Sequence, residues 1–395
     1  MEMKRWAAWG LVLWTVANLV QAAFLPLHPD EAYYWLYAQH LDWGYFDHPP
    51  MVAVGIALFD WIPGELGVRF STVLWSTGTL FLFQQWMGTE NKQPFPSWMW
   101  LLLFPLVHAY GFVATPDAPV LFFGMAFWWW ASRVAEKEKT TLVDEFVWGV
   151  IMAGLLYSKY HGILLIGFYG LTHRWVWKSK SWYGAGLVGA MCFLPHLWWQ
   201  YQHDFPSLSY HLKERNETFQ WKFLGEYLLN SLLLFHPWIW WKMMKRGASK
   251  TEEQWRWKAF ALLLFGFFLW SVGKGHVQPQ WTLLAALPMD AWMAKAALSA
   301  PSIRWAMGIT LSLMLLGRVL VFVLPSLGFS ENRSKSLALG EEIKGRNVVF
   351  SGSFQTISLY AFYNKKFNVH LEGHRKTQFD FWRWDRSFRG EVVRK

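Results

Sequence analysis

Charge is scarce in this chain. Asp, Glu, Lys and Arg make up only 16% of its 395 residues, where a soluble domain carries about a quarter. With 54% of the residues hydrophobic and 19% aromatic, a water-soluble fold is excluded and a membrane protein is implied. Cysteine is nearly absent. The single Cys192 rules out internal disulfides and thiolate metal clusters. No internal repeat and no inverted symmetry relates the two halves, which counts against transporter architectures built from such repeats. A small-residue cleavage site is also missing from the first apolar stretch, Trp6 to Phe24. Following Lys4 and Arg5, that stretch is expected to be a retained anchor and not a removed signal peptide.

Apolar windows long enough to cross ~30 Å of hydrocarbon fall at 6–27, 66–87, 97–113, 117–134, 143–158, 162–178, 182–201, 223–244, 257–272, 278–295 and 303–325, about eleven spans. The net charge of +10 could suit nucleic acid, but its placement follows the membrane. With the N-terminus inside, inward segments collect Lys4, Arg5, Lys92, Arg133, Lys137, Lys139, Arg174, Lys178, Lys180, Lys242, Lys245, Arg246, Lys250, Arg256, Lys258, Lys295 and Arg304. The outward loops hold only Lys159, Lys213, Arg215, Lys222 and Lys274. That bias obeys the positive-inside rule. The 31 tryptophans suit interfacial belts and helices lying on the bilayer.

The same orientation gathers the chemistry on the outer face. Residues 28–50, HPDEAYYWLYAQHLDWGYFDHPP, crowd acids and histidines at the foot of the first span, and ionisable groups at membrane depth are costly and tend to be functional. Tyr33, Tyr34, Leu36, Tyr37 and Leu41 follow helical spacing. A short amphipathic helix along the membrane surface is expected, with Asp30 at its N-cap position. Residues 51–62 would then dip back as a second amphipathic or re-entrant piece.

Each candidate has a plain structural alternative. Asp30 and Glu31 could cap a helix and favour its dipole, or serve as carboxylates whose partial burial suits general-base chemistry. Asp47 and His48, before Pro49 and Pro50, could form a turn, yet a turn needs no histidine, and phosphate or hydroxyl contacts explain it better. Asp117, between Pro116 and Pro119, could be a helix start. Lys159 and His161 lie at the outer junction of the fifth and sixth spans, where a lysine snorkels or binds a lipid phosphate. GKGHVQPQW at 273–281 brings His276 and Gln278 in irregular backbone, tolerated at this depth only around a cavity. Arg215 sits in the mixed-charge loop 201–222.

Beyond the eleventh window the composition changes. Asn347–Phe350 reads as a strand, Ser353–Tyr363 as a helix and Asn368–Leu371 as a second strand. A polar, aromatic tail follows. Residues 1–326 are therefore expected to form the transmembrane domain and 327–395 a small α/β appendage packed on the outer loops, too small to carry much core alone. The tail segment His374 to Asp380 reads as solvated surface.

Taken in order, HPDEAYYW, GYFDHPPMVA, TPDAPVLFF, SKYHGILL, QPQWTLLAALP and GHRKTQFDFW resemble the family 39 glycosyltransferases of the GT-C superfamily. These include protein O-mannosyltransferases and bacterial lipid A aminoarabinose and galacturonosyl transferases. The resemblance implies an all-α polytopic GT-C fold in the bacterial inner membrane with its active site facing the periplasm. It implies a polyprenyl phosphate sugar donor, a lipid, glycan or protein acceptor, and no nucleic acid. By position, Asp30 matches the family's proposed base, Asp47 and His48 an acidic-basic pair, and Asp117 a second acidic site. A lipid phosphate is already a leaving group, so one base and cations for the departing phosphate suffice. Direct displacement would invert the anomeric carbon. Lys159, His48, His161, His276 and Arg215 would be the phosphate clamps. No cofactor is required, and a divalent cation stays open. The rival readings are a GT-C enzyme with a diphosphate-linked donor and a lipid-linked sugar flippase.

Overall fold

A computed structural model describes all residues except 1, 89–94, 212–216, 246, 248, 297–300, 325–329, 347, 367–368, 373–375, 383–390 and 395. Each apolar window is helical, and several are broken. Unbroken helices occupy Glu2–Phe24, Glu65–Met87, Asp117–Ala135, Leu142–Ser158, Lys180–Gln202, Glu252–Ser271 and Pro301–Val323. Among the described residues, Arg5–Phe24, Glu65–Met87 and Glu252–Lys274 are long and apolar enough to cross a membrane by length and composition alone.

Prolines set most of the breaks, since each removes an N–H donor and clashes with the preceding turn. The 97–113 window is a 3₁₀ stretch, Ser97–Leu103, then a short helix, Pro105–Ala109. The 223–244 window divides into Trp221–Leu234 and Pro237–Met244 around His236, which takes a positive φ of 59°. The 278–295 window opens as a 3₁₀ turn at Pro279 before the helix Ala286–Ala296. Window 162–178 ends as a helix at Thr172 and continues as a 3₁₀ turn, Arg174–Lys178.

The first outer loop folds as Pro29–Gln39 and Met51–Ala57. Its first helix has eight consecutive buried residues, Glu31 to Ala38, so both faces are covered and it does not lie open on a bilayer. One side meets the second loop helix, Met51–Ala57, and Glu31 at its start pairs with Arg69 of the Glu65–Met87 helix. The other is covered by the C-terminal appendage, where Phe354 meets Tyr33, Phe362 meets Trp35 and Trp382 meets Tyr37.

That appendage holds the helices Ser330–Glu342 and Phe354–Tyr363 and three short strands. Strand Val348–Ser351 is central and pairs in parallel with His370–Glu372 and Glu391–Arg394. The third strand was not expected from the sequence. The boundary expected at 326/327 lies outside the described residues. Asn332 donates to the Leu27 carbonyl, Tyr363 bonds both Leu27 N–H and Glu65, and Arg333 pairs with Glu65. The segment read as solvated surface is instead embedded from Thr377 to Phe379. The Gln378 side chain accepts from Phe46 N–H at 2.7 Å, and the Gln378 backbone N–H donates to Tyr33 Oη at 2.8 Å.

Candidate active site

The site begins at the entry to the loop helix Pro29–Gln39. Its N-cap is His28, not Asp30: His28 Nδ1 accepts the Asp30 N–H at 3.2 Å, and Glu31 reaches back to the His28 N–H at 2.8 Å. Asp30 is thereby released from capping. Its carboxylate is partly exposed, and Oδ1 accepts from Gln355 Nε2 at 2.8 Å. A residue of the appendage orients the candidate base.

Glu31 has another task. It is fully buried, and its oxygens accept Arg69 Nε at 2.7 Å, Arg69 Nη2 at 2.6 Å, Ala114 N–H at 2.7 Å and His28 N–H at 2.8 Å. Arg69 spends its other donors on the carbonyls of Ala22, Leu25 and Pro26. A carboxylate with four donors and a bidentate guanidinium is held as a framework pin. The structure thus shows Glu31, expected from sequence to be catalytic, in a framework position. Arg69, which the sequence reading passed over, carried a usable signal: it is an arginine inside an apolar window.

Asp117 and Lys159 come together. Their side chains are almost wholly buried and form an ion pair at 2.7 Å. Asp117 opens the helix Asp117–Ala135, and Lys159 is the C-cap residue of Leu142–Ser158. Asp47 accepts the Tyr37 hydroxyl at 2.5 Å through Oδ1, while its carbonyl accepts from His211 Nε2 at 3.1 Å. His48 meets Tyr34 edge-on, with ring centroids 5.6 Å apart.

Tyr34 is where these groups converge. Burial pushes its hydroxyl well above the ordinary value of 10.0, and the negative charges of Asp30, Asp47 and Asp117 push it the same way. Burial and then Asp47 likewise raise Tyr37. The carboxylates of Asp30, Asp47 and Asp117 thus all act electrostatically on one tyrosine.

A chain of hydrogen bonds ties the backbone of the first loop to the helix Lys180–Gln202. His196 Nδ1–H donates to the Trp43 carbonyl at 2.7 Å, leaving Nε2 to accept the Tyr160 hydroxyl at 3.1 Å. Gln200 donates to Tyr160 Oη at 2.9 Å and to Ser207 Oγ at 2.7 Å, and Ser207 donates to the Tyr45 carbonyl at 2.9 Å. The reversal that delivers Ser207 places Asp204 and Phe205 at φ 58° and 53°, a region non-glycine residues seldom adopt.

The remaining candidates form separate groups. His161 packs against Phe268 and Trp281 at 5.3 and 5.1 Å. Gln278 Oε1 accepts from Trp281 Nε1 and Gln280 Nε2, so Trp281 links it to His161. His276 faces Glu226 at 3.3 Å, and Arg215 lies outside the described residues. Among the described residues, no group of three or more His, Cys, Asp or Glu side chains is placed to hold a metal ion.

Three comparisons bear on this arrangement. The family described as dolichyl-phosphate-mannose-protein mannosyltransferase matches residues 47–199. The lipid A galacturonosyltransferase RgtD of Rhizobium johnstonii is 22% identical over 350 residues, covering 78% of this chain and 67% of that protein. In fold, the chain matches apo ArnT from Cupriavidus metallidurans with a TM-score of 0.69 at 15% identity, over 96% of this chain and 88% of ArnT. ArnT bound to undecaprenyl phosphate gives 0.66 at 14% identity, over 95% and 87%.

Proposed function

We propose that this chain, a glycosyltransferase of the GT-C, PMT-like family, moves a sugar from a polyprenyl phosphate carrier to a lipid, glycan or protein acceptor. The transfer takes place on the periplasmic face of the bacterial inner membrane. The carrier is inferred from ArnT, whose structure holds undecaprenyl phosphate. RgtD, named for lipid A, favours a lipid or glycan acceptor.

The observation that carries this reading is the held carboxylate of Asp30 together with the buried Asp117–Lys159 ion pair. One oriented, solvent-reachable carboxylate, Asp30, stands in the same neighbourhood as the buried Asp117–Lys159 pair. In the proposed reaction, Asp30 takes the proton of the acceptor hydroxyl as its oxygen attacks the anomeric carbon. The bond from that carbon to the carrier phosphate breaks, and the configuration inverts. Lys159 and His48 supply positive charge toward the departing phosphate, as does His161 from the adjoining turn. Asp117 sets the position of Lys159. Where the acceptor is itself a phosphate, Asp30 orients it without removing a proton. The proposal needs no cofactor, because the phosphate is already a stable leaving group.

The test is sugar transfer from radiolabelled polyprenyl phosphate donors, supplied one at a time to membranes holding wild type or Asp30→Asn. Label should enter the lipid or polymer fraction with wild type only, a loss of at least about 10²-fold for the variant, in the range general-base removal produces. Near-normal turnover by Asp30→Asn would remove Asp30 from the mechanism. Use of lipid diphosphate donors alone would overturn the carrier.

A further inference from the structure

Arg318 lies in the last apolar helix, Pro301–Val323, five residues before its outer end, about 7.5 Å along the axis at 1.5 Å per residue. Its guanidinium is turned toward the first helix. Nε donates to Gln21 Oε1 at 2.6 Å and Nη2 to Asn18 Oδ1 at 2.5 Å. The rings of Trp14 and Phe112 flank it at 4.9 and 5.6 Å.

Every one of these partners is neutral. Among the described residues, no carboxylate pairs with Arg318, whereas Arg69, which also contacts the Phe112 ring, has Glu31. Two of the five guanidinium N–H donors are used, leaving three without an acceptor among the described residues. An uncompensated cation at this depth is costly, and charges there usually meet an opposite charge. Holding two helices together would need only the amides.

The receptor is also built closely. Asn18 is fully buried and Gln21 nearly so. A Cβ at Gly111 would come within 2.6 Å of Asn18 Oδ1, so only glycine lets that amide sit where it does. Around Arg318, its own helix turns Leu315, Leu316, Val319 and Phe322 outward. Whatever supplies the missing charge therefore arrives from the lipid side.

We infer that Arg318, with Asn18 and Gln21, forms a binding site for the phosphate of an outer-leaflet lipid, separate from the Asp30–Lys159 group. The chemistry is a phosphate carried on an acyl or prenyl chain, whose tail lies along the exposed leucines while its oxygens take the spare donors. Undecaprenyl phosphate and an anionic phospholipid share that chemistry.

Native mass spectrometry of the full chain, titrated separately with undecaprenyl phosphate, phosphatidylglycerol, phosphatidylcholine and inorganic phosphate, tests this. Arg318→Gln removes the charge. Asn18→Asp is nearly isosteric and supplies an internal carboxylate that competes for the guanidinium while keeping the packing. Both variants should bind one phosphate lipid fewer than wild type, or bind it with half-saturation raised about tenfold or more, as loss of a charge-assisted hydrogen bond implies. Phosphatidylcholine and inorganic phosphate should show no such difference. Loss seen with undecaprenyl phosphate alone assigns the site to the carrier; loss with phosphatidylglycerol assigns it to bulk lipid. Unchanged stoichiometry and half-saturation in Asn18→Asp, which retains the fold's contacts, would overturn the site. So would inorganic phosphate binding as well as either phosphate lipid.

Discussion

Asp117 and Lys159 stand 42 positions apart in sequence and share one buried ion pair. Both stand out in the sequence as polar residues at the ends of apolar windows, but their pairing does not, because spacing says nothing about contacts between different windows. The pairing changes what a mutation does. Removing either partner strands the other charge in a buried setting, at a cost of about 3–5 kcal/mol. Asp117→Asn and Lys159→Met should therefore each lower the thermal unfolding midpoint as well as abolish transfer. The double variant should regain much of the stability and none of the activity. Asp30→Asn differs in kind: its carboxylate is partly exposed and makes one side-chain hydrogen bond, so it should lose transfer with little loss of stability. Fluorescence-detected melting of the four proteins checks this, and a Lys159→Met variant as stable as wild type would refute the buried pair. Glu31 shows the limit of sequence from the other side. Its neighbour Asp30 has the same charge in the same motif, and only Arg69, 38 positions on, sets Glu31 apart as a framework group.

At the scale of elements, the loop helix Pro29–Gln39 was legible from aromatic spacing, whereas its second covering was not. The residues that cover it, Phe354, Phe362 and Trp382, come from a distant part of the chain with no pattern that names their target. A cluster of tyrosines is buried at this loop. Burial raises Tyr34, Tyr37 and Tyr45 above the ordinary value of 10.0, with nearby carboxylates adding to the shift at Tyr34 and Tyr37. The unfolded chain then releases these protons before the folded one. Their contribution to stability is complete below pH of about 10 and is lost as pH climbs toward the raised folded values. The melting midpoint should accordingly hold steady to about pH 10 with respect to these groups and fall steeply above it. Tyr34→Phe should make that alkaline fall shallower. An identical slope in wild type and Tyr34→Phe would show that the burial of this hydroxyl does not govern the alkaline limit.

At the scale of the whole molecule, the sequence predicts sidedness. Apolar windows and the lysine–arginine count predict a span order from sequence alone, because hydrocarbon thickness and cytoplasmic charge are bulk constraints that need no knowledge of contacts. Where prolines broke the windows, at Pro105, Pro237 and Pro279, position was readable and regularity was not, since breaks of this kind depend on neighbouring helices to satisfy freed backbone groups. The appendage was legible as strand–helix–strand, while its third strand, Glu391–Arg394, lay in a polar tail with no alternation to mark it. One consequence of sidedness can be measured directly. The chain has a single cysteine, exposed Cys192, so Cys192→Ser yields a cysteine-free background for site-specific labelling. A cysteine placed at Glu372, exposed on the appendage strand His370–Glu372, should react with a membrane-impermeant maleimide in intact spheroplasts. One placed at Glu138, exposed between the helices Asp117–Ala135 and Leu142–Ser158, should react only after permeabilisation. Labelling of Glu138→Cys in intact spheroplasts would invert the topology. It would then put Asp30, Asp47 and the Asp117–Lys159 pair on the cytoplasmic side, where the proposed periplasmic transfer could not occur.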